Sequence, residues 1–242
     1  MATQKGKPTS KTLAKPAAQQ QEIEVKMNNA LGRTEDFLHR NGKSLLTVVL
    51  VLVLVVGGYF AYKHLYLAGR GERAAAAMFV AQQNLAQEMY EVALHGDGNN
   101  LGFLDVIAHY GSTPQGNIAR HYAGLCFVKL GDFDSAMEYL ERYRRVRGIP
   151  AHIVNAQNFG LRGDIHVQRN ELDRAVEMYE RAVRIGENLM TSPYYLKKMG
   201  LVHLSANRPA EAMNAFQRIL DEYPASFEAR DIEKYMGAAG QM

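Results

Sequence analysis

The chain has no tryptophan, one cysteine and only seven prolines in 242 residues. With Cys126 alone, neither an intramolecular disulfide nor a thiolate zinc cluster can form, so stability must come from an ordinary packed core. Few prolines leave long stretches free to be helical. Ala, Leu, Glu, Arg and Met crowd the sequence after residue 70, the composition of an all-α protein. Charge is wholly absent between Ser44 and Tyr62. The net charge of +3 is also uneven: residues 1–43 carry +4 and the remaining residues −1. A near-neutral body lacks the basic footprint that nucleic acid demands, so no nucleic-acid partner is expected.

Catalytic constellations are missing too. The eight histidines show no H-x-x-x-H spacing, and His121 and Cys126 are too far round a helix to share a metal. Cys126, flanked by Leu125, Phe127 and Val128, is expected to be a small buried hydrophobe. "GRGERA" (69–74) matches a GxGxxA string, but it follows an apolar run where a dinucleotide site needs a strand. "DGNNLG" (97–102) resembles a calcium loop, yet Leu101 fills a ligand position and Ala108 stands where Glu is required. No catalytic residue, cofactor or metal is expected, and the chain is read as not an enzyme.

What is present begins with "SLLTVVLVLVLVVGGYF" (44–60). The 19 uncharged residues from Ser44 to Tyr62 span roughly 28 Å as a helix, close to a hydrocarbon core. Tyr59, Tyr62 and Tyr66 gather at its C-terminal end, where amphipathic rings favour an interface, and Lys43 and Lys63 bracket it. A cleaved signal would need a shorter apolar region and a shorter leader, and a cleavage site can be forced only near "YLAG". Residues 44–66 are therefore expected to be a single-pass transmembrane helix. Lys26, Arg33, Arg40 and Lys43 precede it, and Lys63, Arg70 and Arg73 follow. That small bias favours a cytoplasmic N-terminus. Residues 1–43 are expected to be a disordered basic tail. Within it, residues 22–40 read either as a short amphipathic helix on an anionic leaflet or as a solvated spacer.

From Glu72 the pattern turns helical. "ERAAAAMFVAQQNLAQEMYEVALHG" predicts one long helix ending at Gly96, "DGNN" a turn and "LGFLDVIAHYG" a second helix. Thr113 before Pro114 predicts a capped helix start. Beyond it, a glycine is followed twelve residues later by an alanine three times: Gly124 and Ala136, Gly163 and Ala175, Gly200 and Ala212. Successive alanines lie 39 and 37 residues apart. Small residues on facing sides let two antiparallel helices cross closely, while Phe133, Leu140, Phe159, Tyr179, Leu196 and Phe216 fill the layers around them. "KLGDFD", "QRNELD" and "SANRPA" supply the turns.

These residues resemble the tetratricopeptide repeat. Gly124, Gly163 and Gly200 match its position 8, and Ala136, Ala175 and Ala212 its position 20. Tyr179 and Phe216 match position 24, Ala182 position 27 and Pro224 position 32. His166 and His203 depart from the usual Tyr at position 11, and Tyr143 and Ile219 from Ala at 27. Both gaps exceed the motif's 34, with the first surplus expected near "RRVRGIPAH". The expected domain covers 70–242: a degenerate first pair (72–111), repeats at 116–149, 156–189 and 193–226, and an end helix at 226–236. The fold class is thus all-α, a single N-terminal transmembrane helix followed by a helical-hairpin solenoid with a concave, partner-holding face.

The resemblance implies which residues turn inward: Ile118, His121, Leu125, Val128 and Lys129; then Gln157, Gly160, Asp164, Val167 and Gln168; then Tyr194, Lys197, Leu201, Leu204 and Ser205. The candidate partner-binding face is Ile118, His121, Leu125, Lys129, Gln157, Asp164, Gln168, Tyr194, Lys197 and Leu201. It lacks the Lys/Asn pair of repeats that clamp chaperone C-termini. The whole arrangement, and above all "IAHYGSTPQGNIARHYAGLCFVKLGDFDSAMEYLERY", resembles the ancillary SecYEG translocon subunit family over roughly residues 30–225. That resemblance implies a bacterial inner-membrane protein with its repeats in the periplasm. Its expected partners are translocon subunits, chaperones or nascent chains. An oligomeric envelope assembly or division scaffold, and an organelle import receptor with cytosolic repeats, stay open as alternatives, as does the oligomeric state.

Overall fold

The computed structural model describes residue 27, residues 41–63 and residues 68–241 of the chain. The tail reading for 1–40 therefore lies outside the described residues apart from Met27, which is helical. The described residues divide into two units, one up to Leu65 and one from Tyr66 onward. Both are helical, and no strand occurs among the described residues.

The first unit holds α1 (Asn41–Ala61), which starts three residues before the uncharged run. A π turn at 62–63 continues it. Its 21 residues rise about 31 Å. Its most apolar 18-residue window has a mean hydropathy of 2.5, and that window's side chains are not buried within the protein. The helix is long and apolar enough to cross a membrane. Within it, the Thr47 hydroxyl donates to the Lys43 carbonyl at 2.8 Å, satisfying the polar atom locally.

The second unit is a succession of helix pairs: α2 (Ala68–Ala86) with α3 (Tyr90–His95) and α4 (Phe103–Tyr110); α5 (Pro114–Leu130) with α6 (Phe133–Arg142); α7 (Ile149–Gln168) with α8 (Leu172–Gly186); and α9 (Ser192–Ser205) with α10 (Pro209–Glu222). A 3₁₀ turn (Glu228–Arg230) and α11 (Ile232–Gly240) close the series. There is no single central core. Three apolar clusters follow one another along the chain, the first from α2 to α5, the second around Ala136, Leu140, Leu161 and Ile165, the third from α7 to α11. That is the quasi-one-dimensional packing of a solenoid, in which each repeat buries its apolar face on its neighbours.

The Gly/Ala grid explains the hairpins. A Cβ on Gly163 would stand 2.5 Å from the Tyr179 ring, and one on Gly200 2.2 Å from the Phe216 ring. Ala136, Ala175 and Ala212 are fully buried opposite. Inside each of these hairpins the first helix ends in the same way. The residue seven after the glycine takes a left-handed conformation: Gly131 (φ 83°), Asn170 (φ 57°) and Asn207 (φ 57°). The next amide reaches back five residues, as in Asp132 N–H to Phe127 O, Glu171 to His166 and Arg208 to His203. This is the Schellman stop, which satisfies carbonyls the helix leaves open.

The same stop corrects the first pair. The single helix expected over 72–96 is broken at 87–89, where Glu88 adopts φ 61° and Met89 N–H bonds Asn84 O at 2.9 Å. Counting back seven gives Ala81, and counting on twelve gives Ala93, both buried. The first pair thus carries the same grid with Ala for Gly. Its second helix is itself interrupted, α3 giving way to a loop at 96–102 and then α4.

α5 starts as its sequence predicts, with Thr113 Oγ1 accepting the Gly116 N–H at 3.1 Å and Pro114 in the first turn. The surplus residues between the α5–α6 and α7–α8 pairs sit in a loop at 143–148 and in the first turns of a lengthened α7. Tyr143, standing where the motif prefers Ala, is buried and donates its hydroxyl to Asn155 at 2.9 Å, so the larger side chain is built into the lengthened connection.

Candidate functional site

The inward helices α5, α7 and α9 do not present all their predicted positions to solvent. Position 5 of each repeat is taken by the unit that follows. His121 is fully buried, its Nε2 3.2 Å from Gln157 Oε1 and its ring 5.5 and 5.7 Å from those of Tyr122 and Tyr143. Gly160 lies against the Tyr195 ring. Lys197 Nζ reaches Asp231 at 2.8 Å and sits 4.6 Å from the Tyr235 ring centre. His121, Gln157 and Lys197 are therefore inter-repeat contacts and not an open binding face. Neighbouring units are thus sealed part-way along the inward helices, where position 5 meets the next unit. Ile118 is likewise half-buried against the first apolar cluster, and Leu125 against the second.

Towards their C-terminal ends the same helices open. Asp164, Val167 and Gln168 from α7, Leu201 and Val202 from α9, Val128 from α5 and Phe133 from α6 line a groove of about 450 Å³. The structure brings Asp164, Gln168 and Leu201 together there, as the inward grid implies. Leu201 is 39% exposed and Tyr194, about two turns earlier on α9, is 44% exposed. Lys129 is exposed in the last turn of α5 but does not line the groove.

Two groove residues are absent from the sequence-derived set. Lys198 Nζ bonds both Asp164 oxygens, at 2.7 and 2.8 Å, and lies 5.0 Å from the Tyr194 ring centre. Tyr179 donates its hydroxyl to Asp164 Oδ1 at 2.6 Å. Burial opposes the charge on Lys198, but Asp164 beside it more than offsets that, and its pKa rises above the ordinary lysine value. Burial, then the Asp164 charge, push Tyr179 well above the usual tyrosine range. Both stay protonated at neutral pH, so the groove holds a fixed ion pair and a hydrogen-bonded phenol and no activated nucleophile. A signal for Lys198 existed in the sequence: it follows Asp164 by 34 residues, the motif's nominal length, three short of the 37 that separate these two repeats here. Asp134 and Arg169, and Asp173 and Arg208, are paired at 35.

Other sequence candidates resolve into structure. Cys126 is fully buried in the first apolar cluster, where burial pushes its thiol up to about 12. Residues 69–74 lie inside α2. The Asp97 carboxylate accepts the Asn99 and Asn100 N–H groups at 2.9 and 2.7 Å and the Asn100 side-chain amide. It is spent on holding its own loop, and these bonds, Asn100's side chain first, keep it below the usual carboxylate range. Among the described residues no three His, Cys, Asp or Glu side chains are grouped to hold a metal.

Chemically, the groove offers an apolar floor, one neutralised ion pair and an exposed aromatic rim. That combination suits apolar side chains of an extended or helical polypeptide. Comparison with curated protein sequences gives no match. Among solved structures, the crystal structure of the MamA protein is similar over 71% of this chain and 82% of its own, with 16% identity and a TM-score of 0.53. The structure of pilF from Pseudomonas aeruginosa is similar over 71% of this chain and 69% of its own, again with 16% identity and a TM-score of 0.53. At that identity the likeness is one of fold. Family profiles described as tetratricopeptide repeat match residues 119–146, 156–188 and 198–226, which fall on the α5–α6, α7–α8 and α9–α10 pairs.

Proposed function

We propose that the chain is a membrane-anchored, non-enzymatic adaptor that holds protein partners in the α5–α7–α9 groove. The observation that carries this is the groove itself: Tyr194 and Leu201 stand exposed beside an apolar floor, in a fold that binds proteins on its concave face. α1 serves as the single-pass anchor, with the basic tail cytoplasmic and the repeats in the periplasm of a bacterial inner membrane. Its length and hydropathy support the anchor, and the basic excess before it supports the orientation. Anchoring raises the concentration of the groove near other membrane proteins. The resemblance to ancillary SecYEG subunits makes translocon subunits, periplasmic chaperones and emerging chains the partners of choice.

Affinity isolation of the full chain from native membranes tests this. Translocon subunits or periplasmic chaperones should co-purify with the unaltered chain and be lost with Tyr194→Ala/Leu201→Asp. Recovery of neither class, or equal recovery with the variant, contradicts the proposal.

A further inference from the structure

A second surface is built on the opposite edge, where the loops joining one repeat to the next lie. The α4–α5 turn, the start of α5, the end of α6 and the loop after it enclose a cavity of about 1100 Å³. Arg120, Arg142, Arg144 and Arg145 line it, against one acid, Glu141. That acid is already engaged by Arg162 at 3.2 Å. Ile107, Tyr139 and Val146 give the cavity apolar walls. Arg145 also lines an adjoining cavity of about 360 Å³ with Arg181 and Arg184, around Phe159 and Ile185. The two cavities therefore form a continuous basic strip with apolar steps.

The loop bearing these arginines is held in place. Asn117 accepts the Arg144 N–H at 2.8 Å and donates to the Arg144 carbonyl at 2.7 Å. Asn155 accepts the Val146 N–H at 3.2 Å and donates to its carbonyl at 2.8 Å, while also receiving the Tyr143 hydroxyl. Two side-chain amides thus bracket the backbone on either side of Arg145. Arg120 is fixed as well, donating to the Gly111 carbonyl at 3.0 Å. Burial, then the charges of Arg144 and Arg142, lower its pKa. Within the strip Arg142 is paired with Glu138 at 3.0 Å and Arg181 with Glu177. Fixing a loop in a self-repelling arrangement is unfavourable alone and favourable once carboxylates fill it, because less ordering remains to be done on binding.

We propose that this strip is a docking site for an acidic peptide segment of a partner protein, with carboxylates on the arginines and apolar side chains against Tyr139, Val146 and Phe159. Charge and apolar wall alternate inside recessed cavities, which an extended polypeptide can enter and a flat lipid surface cannot.

The test uses the full chain in nanodiscs of neutral lipid. Fluorescence anisotropy is read with a labelled eight-residue peptide of alternating Glu and Leu, with its Lys/Leu counterpart, and with vesicles containing an anionic phospholipid. The Glu/Leu peptide should bind, weaken as salt rises, and lose about tenfold or more in affinity with Arg144→Glu/Arg145→Glu. Arg174→Glu, on the distant start of α8, should leave it unchanged. Thermal melting checks that the variants fold, and Arg184→Glu on the repeat scaffold gives an independent reduction should the loop variant not fold. No binding, undiminished binding in both variants, equal binding of the Lys/Leu peptide, or binding of the vesicles alone would each overturn the proposal.

Discussion

At the scale of single residues, close contacts and burial decide what a position can do. Gly163 is needed because its missing Cβ makes room for the Tyr179 ring. Gly163→Ala should destabilise the fold by about 1–3 kcal/mol, read by denaturant unfolding, since the ring must move and take its bond to Asp164 with it. His121 makes a pH prediction. Burial holds its pKa down at about 4 from 6.5, against the opposing hydrogen bond that its ring makes to the Gln157 side-chain oxygen. The unfolded chain thus binds a proton between those values that the fold does not, and stability falls as pH drops through that window, by up to roughly 3 kcal/mol. Its ring is faced by Gln157, Tyr122 and Tyr143, and no carboxylate or amine is among them. Melting curves of the unaltered chain should show this slope, and His121→Gln should flatten it. An equal slope in the variant would place the effect elsewhere. The sequence marks His121 as inward-facing but cannot show that the next repeat covers it.

At the scale of elements, helix stops and starts set the register of the whole unit. Thr113→Ala removes the acceptor for the Gly116 N–H and should cost about 1 kcal/mol. Glu88 is the counterpart case. A non-glycine residue in the left-handed region is strained, so Glu88→Gly should raise stability by up to about 1 kcal/mol, seen as a higher melting temperature. This position also shows where sequence reading stops. The three later hairpins were legible because Gly or Asn marks each stop, seven residues after a glycine. In the first pair Ala81 and Ala93 keep the spacing, but alanine is also the commonest helix former. Glu88 carries no local turn signal, so "QNLAQEMYEV" reads as unbroken helix. The interruption between α3 and α4 was clearer, since "DGNN" announces a loop. Lys198 was missed for a different reason: its role depends on a partner one repeat away, not on its own helix.

At the scale of the molecule, the repeats are joined by apolar clusters and by opposite charges 34 or 35 residues apart: Asp134 with Arg169, Asp164 with Lys198, Asp173 with Arg208 and Lys197 with Asp231. The exposed members of this series are worth at most about 1 kcal/mol each. They act on register more than on total stability. Lys198 differs because it both ties α9 to α7 and forms the polar wall of the groove. Lys198→Glu should therefore reduce partner capture while leaving the other hairpins helical by circular dichroism. The account's central claim is that partners dock in this groove. It is tested most directly by placing a photo-crosslinking residue at Leu201, and in a second protein at the exposed Gln217 on the outer helix α10, in native membranes. The account predicts discrete partner adducts from Leu201 that disappear with Lys198→Glu, and none from Gln217. Equal adducts from both positions, or adducts from Gln217 alone, would contradict it.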